Sequence, residues 1–438
     1  MIQAKLMRAN QNMRWIVVAM FFFASVISYV DRQVLSVNAP LIREQFALSN
    51  VDYSYLVTSF LVAYTIGYTA LGIVVDRLGT RLAFALFIVC WSVAGVAHAL
   101  VIGPLSLAVC RFLLGFFEGG SLPAALRGIS EWFPARERAT AIGIYAAGTP
   151  IGTMIAAPII VFVTIIFGWR FAFVATGAVG FIWLVFWLRT FYLPEKHPRI
   201  SIEERNLIIA DRRESNSVRR RGHTVRGLLR KRETWAIIVS HSLFSPVWWF
   251  YVFWLPAYLH DERGLTLQEV GGSAWIPFLT GAAGTIFGGW LSSWLLKSTK
   301  SLATARYAVF VIASLGSLLG IPAAFVSEPW MCVALISIVT FALCMWATTM
   351  MSLPADVVPS QLVGSLSGLS GSGGALGGVL FTLLTGWLVD NFSYWPVFCL
   401  AAVMPLSAVG ILYVVMPKIQ QIAFDGTLAQ PSPATENR

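Results

Sequence analysis

The sequence predicts an all-α, polytopic membrane protein, and its composition and its long apolar segments lead to this prediction. Of the 438 residues, 57% are hydrophobic and 12% are charged, and the mean hydropathy is +0.73. Soluble globular proteins carry roughly 25% charged residues. The apolar segments run continuously for about 20 residues, as transmembrane helices require, instead of alternating as in a transmembrane β-barrel. A soluble enzyme and a disordered scaffold are therefore excluded.

Twelve apolar segments are long enough to cross a bilayer as helices. The first follows a basic start, like a signal peptide, but it runs into Asp31-Arg32 without a small-residue cleavage site. We therefore expect it to be retained as the first helix. The segments lie at about 15–38, 53–75, 82–102, 105–127, 139–166, 170–192, 235–259, 271–296, 304–326, 329–353, 362–389 and 394–416.

The positions of the basic residues predict the orientation of the chain. The net charge is +10, which could indicate a nucleic-acid partner. Most of the 31 Lys and Arg residues, however, lie in the segments on the side of the termini, and the opposite connections hold Arg43, Arg170 and Arg263. Cytoplasmic loops of membrane proteins carry this excess. We therefore expect a multi-pass protein of an inner (plasma) membrane with both termini cytoplasmic, a lipid bilayer around it and no nucleic-acid partner.

Cysteine usage and motif content indicate neither a metal site nor a cofactor. All five cysteines lie in apolar segments without CxxC or CxxH spacing, so they are interpreted as small buried hydrophobic residues. The sequence contains no GxxxxGK[ST] loop, which excludes ATP-driven pumping by this chain. We expect a protein that is not an enzyme and that functions as a monomer.

A basic linker divides the chain into two halves of six segments. Leu193 to Glu233 holds twelve Lys/Arg and six Asp/Glu, including the run Arg219-Arg220-Arg221, and is interpreted as a solvated cytoplasmic segment. The predicted units are an N-terminal bundle (1–192), the linker (193–233), a C-terminal bundle (234–417) and a cytoplasmic tail (418–438).

The two halves repeat each other in sequence. Glu131 and Pro134, followed by three glycines of the fifth segment, recur at a constant offset as Asp356 and Pro359, again followed by three glycines. Two glycines of the second segment likewise recur in the eighth. Two parallel six-helix repeats form the architecture of major facilitator transporters, with the substrate site between the halves. The repeated glycines are Gly143, Gly148, Gly152 (Gly368, Gly373, Gly377) and Gly67, Gly72 (Gly284, Gly289).

The connection after the second segment resembles the GxxxDRxGxR loop of that superfamily. It contains Gly72, Asp76, Arg77, Gly79 and Arg81 at the required spacing. By this resemblance, Asp76 is expected to help close the cytoplasmic side, against a helix N-terminus or against Arg138. The alternative is a solvated turn that only sets topology. The equivalent position of the second half holds Ser293, which predicts asymmetric loops.

Four ionisable groups lie deep in the apolar segments, namely Asp31, Arg32, Arg111 and Glu118. Each costs at least about 2.5 kcal/mol at the bilayer centre, so each should face a cavity and find a partner. They could form the structural pairs Asp31–Arg111 and Arg32–Glu118, or equivalent pairs within one helix. Alternatively, the arginines bind a carboxylate substrate through their planar guanidinium groups and the two acids carry protons. The second interpretation predicts a symporter of protons and an organic anion.

Aromatic and hydroxyl side chains are the remaining candidates for a substrate site. Tyr29 and Tyr64 could bond the hydroxyls of a polyol, and Trp248 and Trp249 could pack on a sugar ring, while Ser370 could bond a hydroxyl. The nearby Pro246 and Pro256 would allow a broken seventh helix to line the cavity. His241 lies in the same segment as a lone candidate for proton relay.

The pattern Tyr29-Val-Asp31-Arg32, Arg111-x6-Glu118 and Glu131-Trp-Phe-Pro134-x-x-Glu137-Arg138 resembles the anion:cation symporter family of the major facilitators. That family includes bacterial sugar-acid transporters, sialin and vesicular glutamate transporters. Ala274-Trp275-Ile276-Pro277, followed by Gly288-Gly289, is most similar to the hexuronate transporters.

The resemblance implies roles for individual residues. Arg32 corresponds to the arginine that contacts the substrate carboxylate, Glu118 to a protonation site and Asp31 to the acid before that arginine. Tyr64 matches the second-helix tyrosine of the galactonate branch. Hexuronate transporters commonly carry an uncharged residue at the position of Asp31, and many members place asparagines where Ser370 and Gly374 stand here.

Two other functions compete with sugar-acid import. Drug/proton antiporters carry a GPxxGG-type motif in the fifth helix, and Gly148-Thr-Pro150-Ile-Gly152 is similar but out of register. A non-transporting nutrient sensor with a transporter fold is the second alternative. Such sensors usually add a signalling tail, whereas about twenty polar residues follow Met416 here.

Overall fold

The structure is a computed structural model that describes residues 12–218, 225–358 and 360–422. These ranges contain twelve helices that are long and apolar enough to cross a membrane, as the sequence predicts, and no β-strand. We number them α1 to α12. Their bounds are Met13–Val37, Asn50–Leu78, Thr80–Leu100, Pro104–Trp132, Thr140–Phe167, Trp169–Thr190, Arg232–Asp261, Leu267–Thr299, Leu302–Phe325, Pro329–Val357, Leu362–Asn391 and Trp395–Val415.

Local sequence signals set the ends of several helices. Ser49 caps α2: its hydroxyl accepts the Asp52 backbone N–H at 3.0 Å, and the Asp52 carboxylate accepts the Ser49 N–H. Gly79 (φ 77°) separates α2 from α3, and Gly168 (φ 83°) separates α5 from α6. Positive φ favours glycine, so both turns can be short.

Breaks within the spans differ from the sequence-based expectation. Helix α7 is continuous despite its two internal prolines, so the predicted broken seventh helix is wrong. Three other spans each consist of two successive α-helices. These pairs are Pro104–Gly119 and Ser121–Trp132 in α4, Leu267–Ser273 and Ile276–Thr299 in α8, and Leu302–Ser317 and Gly320–Phe325 in α9.

The sequence repeat reappears as a repeat of helix contacts. A Cβ at Gly148 of α5 would lie 2.7 Å from the Phe22 carbonyl oxygen of α1. At the equivalent position of the second half, a Cβ on Gly373 of α11 would lie 2.7 Å from the Ile238 side chain of α7. Small residues allow such close helix packing in a membrane. The pairs α1–α5 and α7–α11 are therefore equivalent.

A second glycine pair defines the other repeated contact. Gly67 of α2 packs on the Phe116 backbone of α4, and Gly284 of α8 packs on the Phe341 backbone of α10. The two glycines are equivalent in the sequence repeat. Their partners Phe116 and Phe341 are separated by the same number of residues as Glu131 and Asp356, so they are equivalent as well. Each half is thus assembled by the same backbone contacts.

The halves meet on the membrane side opposite the start of α1, which we call the distal side. Ser36 donates to the carbonyls of Val252 and Phe253 at 3.0 and 2.9 Å. Arg43 forms an ion pair with Asp261 at 2.7 Å. Burial lowers the pKa of the Arg43 guanidinium, but the neighbouring Asp261 carboxylate raises it, and the result lies above the usual value.

Asp390 at the end of α11 joins the halves at the N-terminus of α2. Its carboxylate accepts the backbone N–H groups of Asn50 and Val51 at 3.0 and 2.8 Å, and the Asn50 side-chain amide at 2.8 Å. Free N–H groups at a helix N-terminus attract anions. An acid of the second half therefore caps a helix of the first.

The opposite, terminal side is more open. Four glycines there, in α5 and α11, have no described atom within 4 Å of the position of a Cβ. The linker contains a helix, Ile202–Val218, and Glu204 of this helix accepts hydrogen bonds from Met13 and Arg14. The four glycines are Gly143, Gly364, Gly368 and Gly371.

Some predicted features lie outside the described residues. These are the run Arg219-Arg220-Arg221 of the linker, Pro359 of the repeat and residues 423–438 of the tail.

We predict that Gly67→Ala destabilises the protein although alanine is the better helix former. The new methyl group would overlap the Phe116 carbonyl, and overpacking costs about 1–3 kcal/mol. Gly143→Ala is the matched control, because its Cβ meets no described atom within 4 Å and helix propensity favours alanine by about 1 kcal/mol. Thermal unfolding in detergent should show a lower Tm for the first variant only. Equal Tm values would contradict the close α2–α4 contact.

We predict that Asp390→Ala loosens the distal contact. The reporter is a cysteine introduced as Ser36→Cys in a chain without its native cysteines. With Asp390→Ala, this cysteine should react with an impermeant maleimide about fivefold faster than it does when Asp390 is present, because loss of a helix cap costs typically about 1 kcal/mol. Asp52→Ala is the control, since Asp52 caps the same helix from within its own half. The same labelling rate in both variants would show that Asp390 does not hold the halves together.

Candidate functional site

A buried ion pair lies between α1 and α4. The Arg32 Nε donates to the Glu118 Oε2 at 2.6 Å, and the exposed fractions of the two side chains are 2% and 0%. Ser28, one turn before Arg32, donates to the same carboxylate oxygen at 2.9 Å. The predicted pair Arg32–Glu118 is therefore formed. Charge-assisted hydrogen bonds of this length are among the strong ones in proteins.

Aromatic rings enclose the Arg32 guanidinium. Its carbon lies 4.3 Å from the ring centre of Tyr29, 4.6 Å from that of Tyr64 and 5.2 Å from that of Phe60. Trp249 of the second half lies 5.9 Å away. Aromatic faces attract cations, and the attraction grows where water is excluded. Of the predicted site residues, Tyr29, Tyr64 and Trp249 are thus brought to Arg32.

Asp31 and Arg111 lie near this pair, but neither forms an ion pair with it in the described part of the chain. Successive residues point about 100° apart around a helix, and Asp31 faces α6, beside the Thr176 side chain. Its two carboxylate oxygens have no hydrogen-bond partner in the described part of the chain. The predicted structural pair Asp31–Arg111 is therefore not formed.

Arg111 is fully buried, with its guanidinium 4.6 Å from the ring centre of Phe60. None of its three side-chain nitrogens has a hydrogen-bond partner among the residues described. One phenyl ring thus lies against both arginines, since Phe60 also faces Arg32. A buried charge without a hydrogen bond is costly. Arg111 and Asp31 therefore hold unused donors and acceptors close to the Arg32–Glu118 pair.

The second half contributes Trp248 and Ser370 in different ways. Trp248 is half-buried and meets the Phe278 ring edge-on at 5.9 Å. Ser370 is only 3% exposed, and its hydroxyl lies 2.8 Å from the Nδ1 of His241. The predicted direct contact of Ser370 with a bound molecule is thus not favoured, because its hydroxyl already faces the histidine.

Sequence reasoning missed three residues of this site. Ser28 and Phe60 each lie four residues before a predicted site residue, Arg32 and Tyr64, so helical spacing could have found them. Tyr145 of α5 lies within electrostatic reach of Tyr29, Tyr64 and Arg32. No motif marks Tyr145, and only the folded arrangement reveals it.

The predicted loop residues after α2 have partners that differ from the expectation. Asp76 pairs with Arg127 at 3.1 Å, whereas Arg138 donates to the Phe133 carbonyl at 2.9 Å. Arg138 as the partner of Asp76 is therefore wrong. Arg81 donates to the Leu188 carbonyl at 2.6 Å, and Arg77 is exposed. The loop thus contacts α4 and α6, within its own half.

The second half has its own ion pair at the corresponding place. Arg306 binds Asp356 at 2.9 Å and donates to Ser292 at 2.6 Å. Arg306 and Asp356 are the repeat equivalents of Arg81 and Glu131, since one offset relates both pairs of positions. The asymmetry predicted from Ser293 extends to the partners, because Arg306 pairs with Asp356, whereas Arg81 donates to the Leu188 carbonyl.

Comparison with known proteins supports the fold and identifies the family. The sequence pattern of the Major Facilitator Superfamily matches residues 21–382. The hexuronate transporter of Escherichia coli (strain K12) is 31% identical over 415 residues, which cover 94% of this chain and 95% of the relative. The D-galactonate transporter of Escherichia coli O6:H1 is 28% identical over 411 residues, which cover 91% of this chain and 93% of the relative.

A solved structure shares the architecture. It is a bacterial homolog of the human lysosomal transporter Spinster, in an inward-facing and occupied conformation. The TM-score is 0.70 at 17% identity, and the match covers 93% of this chain and 97% of the other. Likeness at this identity concerns the fold. With the superfamily pattern over most of its length, the chain is a transporter and not an enzyme, and it belongs to the major facilitator superfamily, in the branch that includes the hexuronate and galactonate transporters.

Proposed function

We propose that this protein is a proton-coupled symporter that imports a sugar acid, either a hexuronate or an aldonate, or a similar organic anion, by alternating access. The names of the relatives support the substrate class. The single observation that carries the proposal is the buried Arg32–Glu118 pair beneath aromatic rings.

This pair links anion binding to protonation by competition for one guanidinium. A substrate carboxylate on Arg32 must share it with Glu118, which already occupies the Nε. The Nη1 of Arg32 has no partner among the described residues and is available for a second hydrogen bond. A proton on Glu118 removes the competing charge, so anion and proton favour each other's binding. Glu118 thus carries a proton while Arg32 binds the carboxylate.

Asp31 and Arg111 form the second part of the proposed coupling. When both acids and both arginines of the cluster are charged, its net charge is zero. One added proton leaves a net charge of +1, which matches the single negative charge of a monocarboxylate. Asp31 would carry a proton, and the unpartnered guanidinium of Arg111 would attract the anion. Tyr29 and Tyr64 would bond substrate hydroxyls, and Trp248 and Trp249 would pack on its apolar face.

The proposed orientation places the termini in the cytoplasm and the protein in an inner membrane. The distal side is then external, and the structure is closed to the outside and more open to the cytoplasm. Asp76, Arg77, Arg81 and Arg138 would act in closing the cytoplasmic side. The bundles 1–192 and 234–417 would rock as units, with the linker 193–233 and the tail 418–438 in the cytoplasm, in a monomer.

Proteoliposome uptake of radiolabelled acids tests the proposal. The panel is galacturonate, glucuronate, galactonate, gluconate and an aromatic acid, each with and without an inward proton gradient. We expect the gradient to stimulate uptake of at least one sugar acid.

The variant Arg32→Lys should lose this gradient-stimulated uptake, because an ammonium group cannot bind a carboxylate through two parallel hydrogen bonds. Arg189→Lys, at an exposed arginine in α6, is the control. Gradient-driven extrusion of cations without acid uptake would indicate an antiporter instead.

We predict that Glu118→Gln abolishes uphill, proton-driven uptake and preserves exchange of labelled for unlabelled substrate. The amide keeps the shape of the side chain and can hydrogen-bond, but it cannot release a proton. Uphill uptake and exchange are measured in the same proteoliposomes. Survival of uphill uptake would show that Glu118 has a structural role.

A further inference from the structure

His241 presents one fixed ring nitrogen and one open ring nitrogen. Its Nδ1 lies 2.8 Å from the Ser370 hydroxyl of α11, and Gly374 approaches the ring closely enough that a Cβ there would lie 3.2 Å from Cδ2. The Nε2 has no hydrogen bond within the described ranges and is not sealed from solvent, since the side chain is half-buried. The orientation of the imidazole is therefore set by α11, while the Nε2 stays available.

The hydrogen bonds of the neighbouring serines indicate which nitrogen carries the proton. Ser242 donates its hydroxyl hydrogen to the Ile238 carbonyl, as serines in membrane helices commonly do. Ser370 has no carbonyl partner in the described part of the chain, so its hydrogen is available to the Nδ1 of His241. A neutral imidazole that accepts at Nδ1 carries its hydrogen at Nε2. His241 is then a hydrogen-bond donor at its open nitrogen.

The contacts of α7 place His241 beside the face of the helix that meets the first half. Helix α11 packs at Gly373 against Ile238, α10 stacks on Phe244 through Trp346 at 4.1 Å, and α12 accepts a hydrogen bond from Ser240. These contacts lie on either side of His241, whose own ring contacts α11. Trp249, which meets Arg32 of the first half, lies about 80° from His241 around α7, and the half-buried Trp248 lies about 20° from it.

The position of His241 along α7 fits the length of a six-carbon acid. Trp249, eight residues later, lies against the Arg32 guanidinium. At 1.5 Å per residue, His241 is about 12 Å further toward the terminal side. An extended six-carbon chain with a hydrogen bond at each end spans this distance, whereas a three-carbon acid on Arg32 cannot reach the imidazole.

We propose that His241 is a specificity residue that donates from Nε2 to the oxygen at the far end of a six-carbon acid whose carboxylate is bound at Arg32. Ser370 is a positioning residue that fixes the ring and its tautomer. The inference rests on the proposed function and adds to it a selection for chain length. The site distinguishes six-carbon acids from shorter hydroxy acids with the same carboxylate end.

The test compares the binding of galactonate and glycerate to the full-length protein in detergent by isothermal titration calorimetry. Both acids carry the carboxylate and the first two hydroxyls, but only galactonate extends to His241. His241→Phe should raise the Kd for galactonate about tenfold, as expected for one lost hydrogen bond to a ligand, and leave that for glycerate within about twofold. His241→Gln, which keeps an N–H donor near the Nε2 position, should retain most of the galactonate affinity.

Ser370→Ala and Ser242→Ala complete the set. The first removes the hydrogen bond that fixes the imidazole and should weaken galactonate binding alone, while the second removes a hydroxyl bonded within its own helix and should change neither Kd. Unchanged glycerate binding also shows that each variant is folded.

Two results would overturn the inference. Equal weakening of both acids by His241→Phe would show a general effect on the site, and unchanged galactonate binding would show that the imidazole does not contact the substrate. Either result leaves the proposed function intact if the wild type transports a sugar acid. A wild-type protein that binds and transports none of the acids tested would refute both proposals.

Discussion

The cost of placing charge inside a membrane is the constraint on which this structure depends. Arg32 and Glu118 are both almost completely buried, and neither could remain there alone, because an unpaired ion in a low-dielectric interior is strongly unfavourable. Their mutual hydrogen bond, the Ser28 hydroxyl and the surrounding aromatic rings provide the compensation. A site built this way responds strongly to any ligand or proton that alters the balance of charge.

Glycine contacts provide the rigid frame that such a site requires. Within each half, helices approach so closely at Gly67, Gly148 and their equivalents that backbone meets backbone. Between the halves, the contacts combine the hydrogen bonds and ion pairs of Asp390 and Arg43 with close packing at Gly386. The ring of Tyr53 also meets that of Trp254 across the halves. Each half is thus held by backbone packing, and polar contacts are added where the halves meet.

The sequence predicts the fold and the cluster of charges well, because apolar segments, the internal repeat and deeply placed ions are strong local signals. It predicts the partners of these charges less well. The predicted pair Arg32–Glu118 is formed, but the predicted pairs Asp31–Arg111 and Asp76–Arg138 are not, because helix rotation and approach decide which side chains meet. Tyr145 and the Ser370–His241 contact depend on two helices meeting, so neither carries a signal of its own.

Asp31 and Arg32 are neighbours in sequence, but their side chains point toward different helices. Arg32 faces the aromatic enclosure and Glu118, while Asp31 faces α6 inside the first bundle. A rigid helix cannot turn one of them without turning the other. Any rotation of α1 that changes what Arg32 touches must therefore also change the surroundings of Asp31.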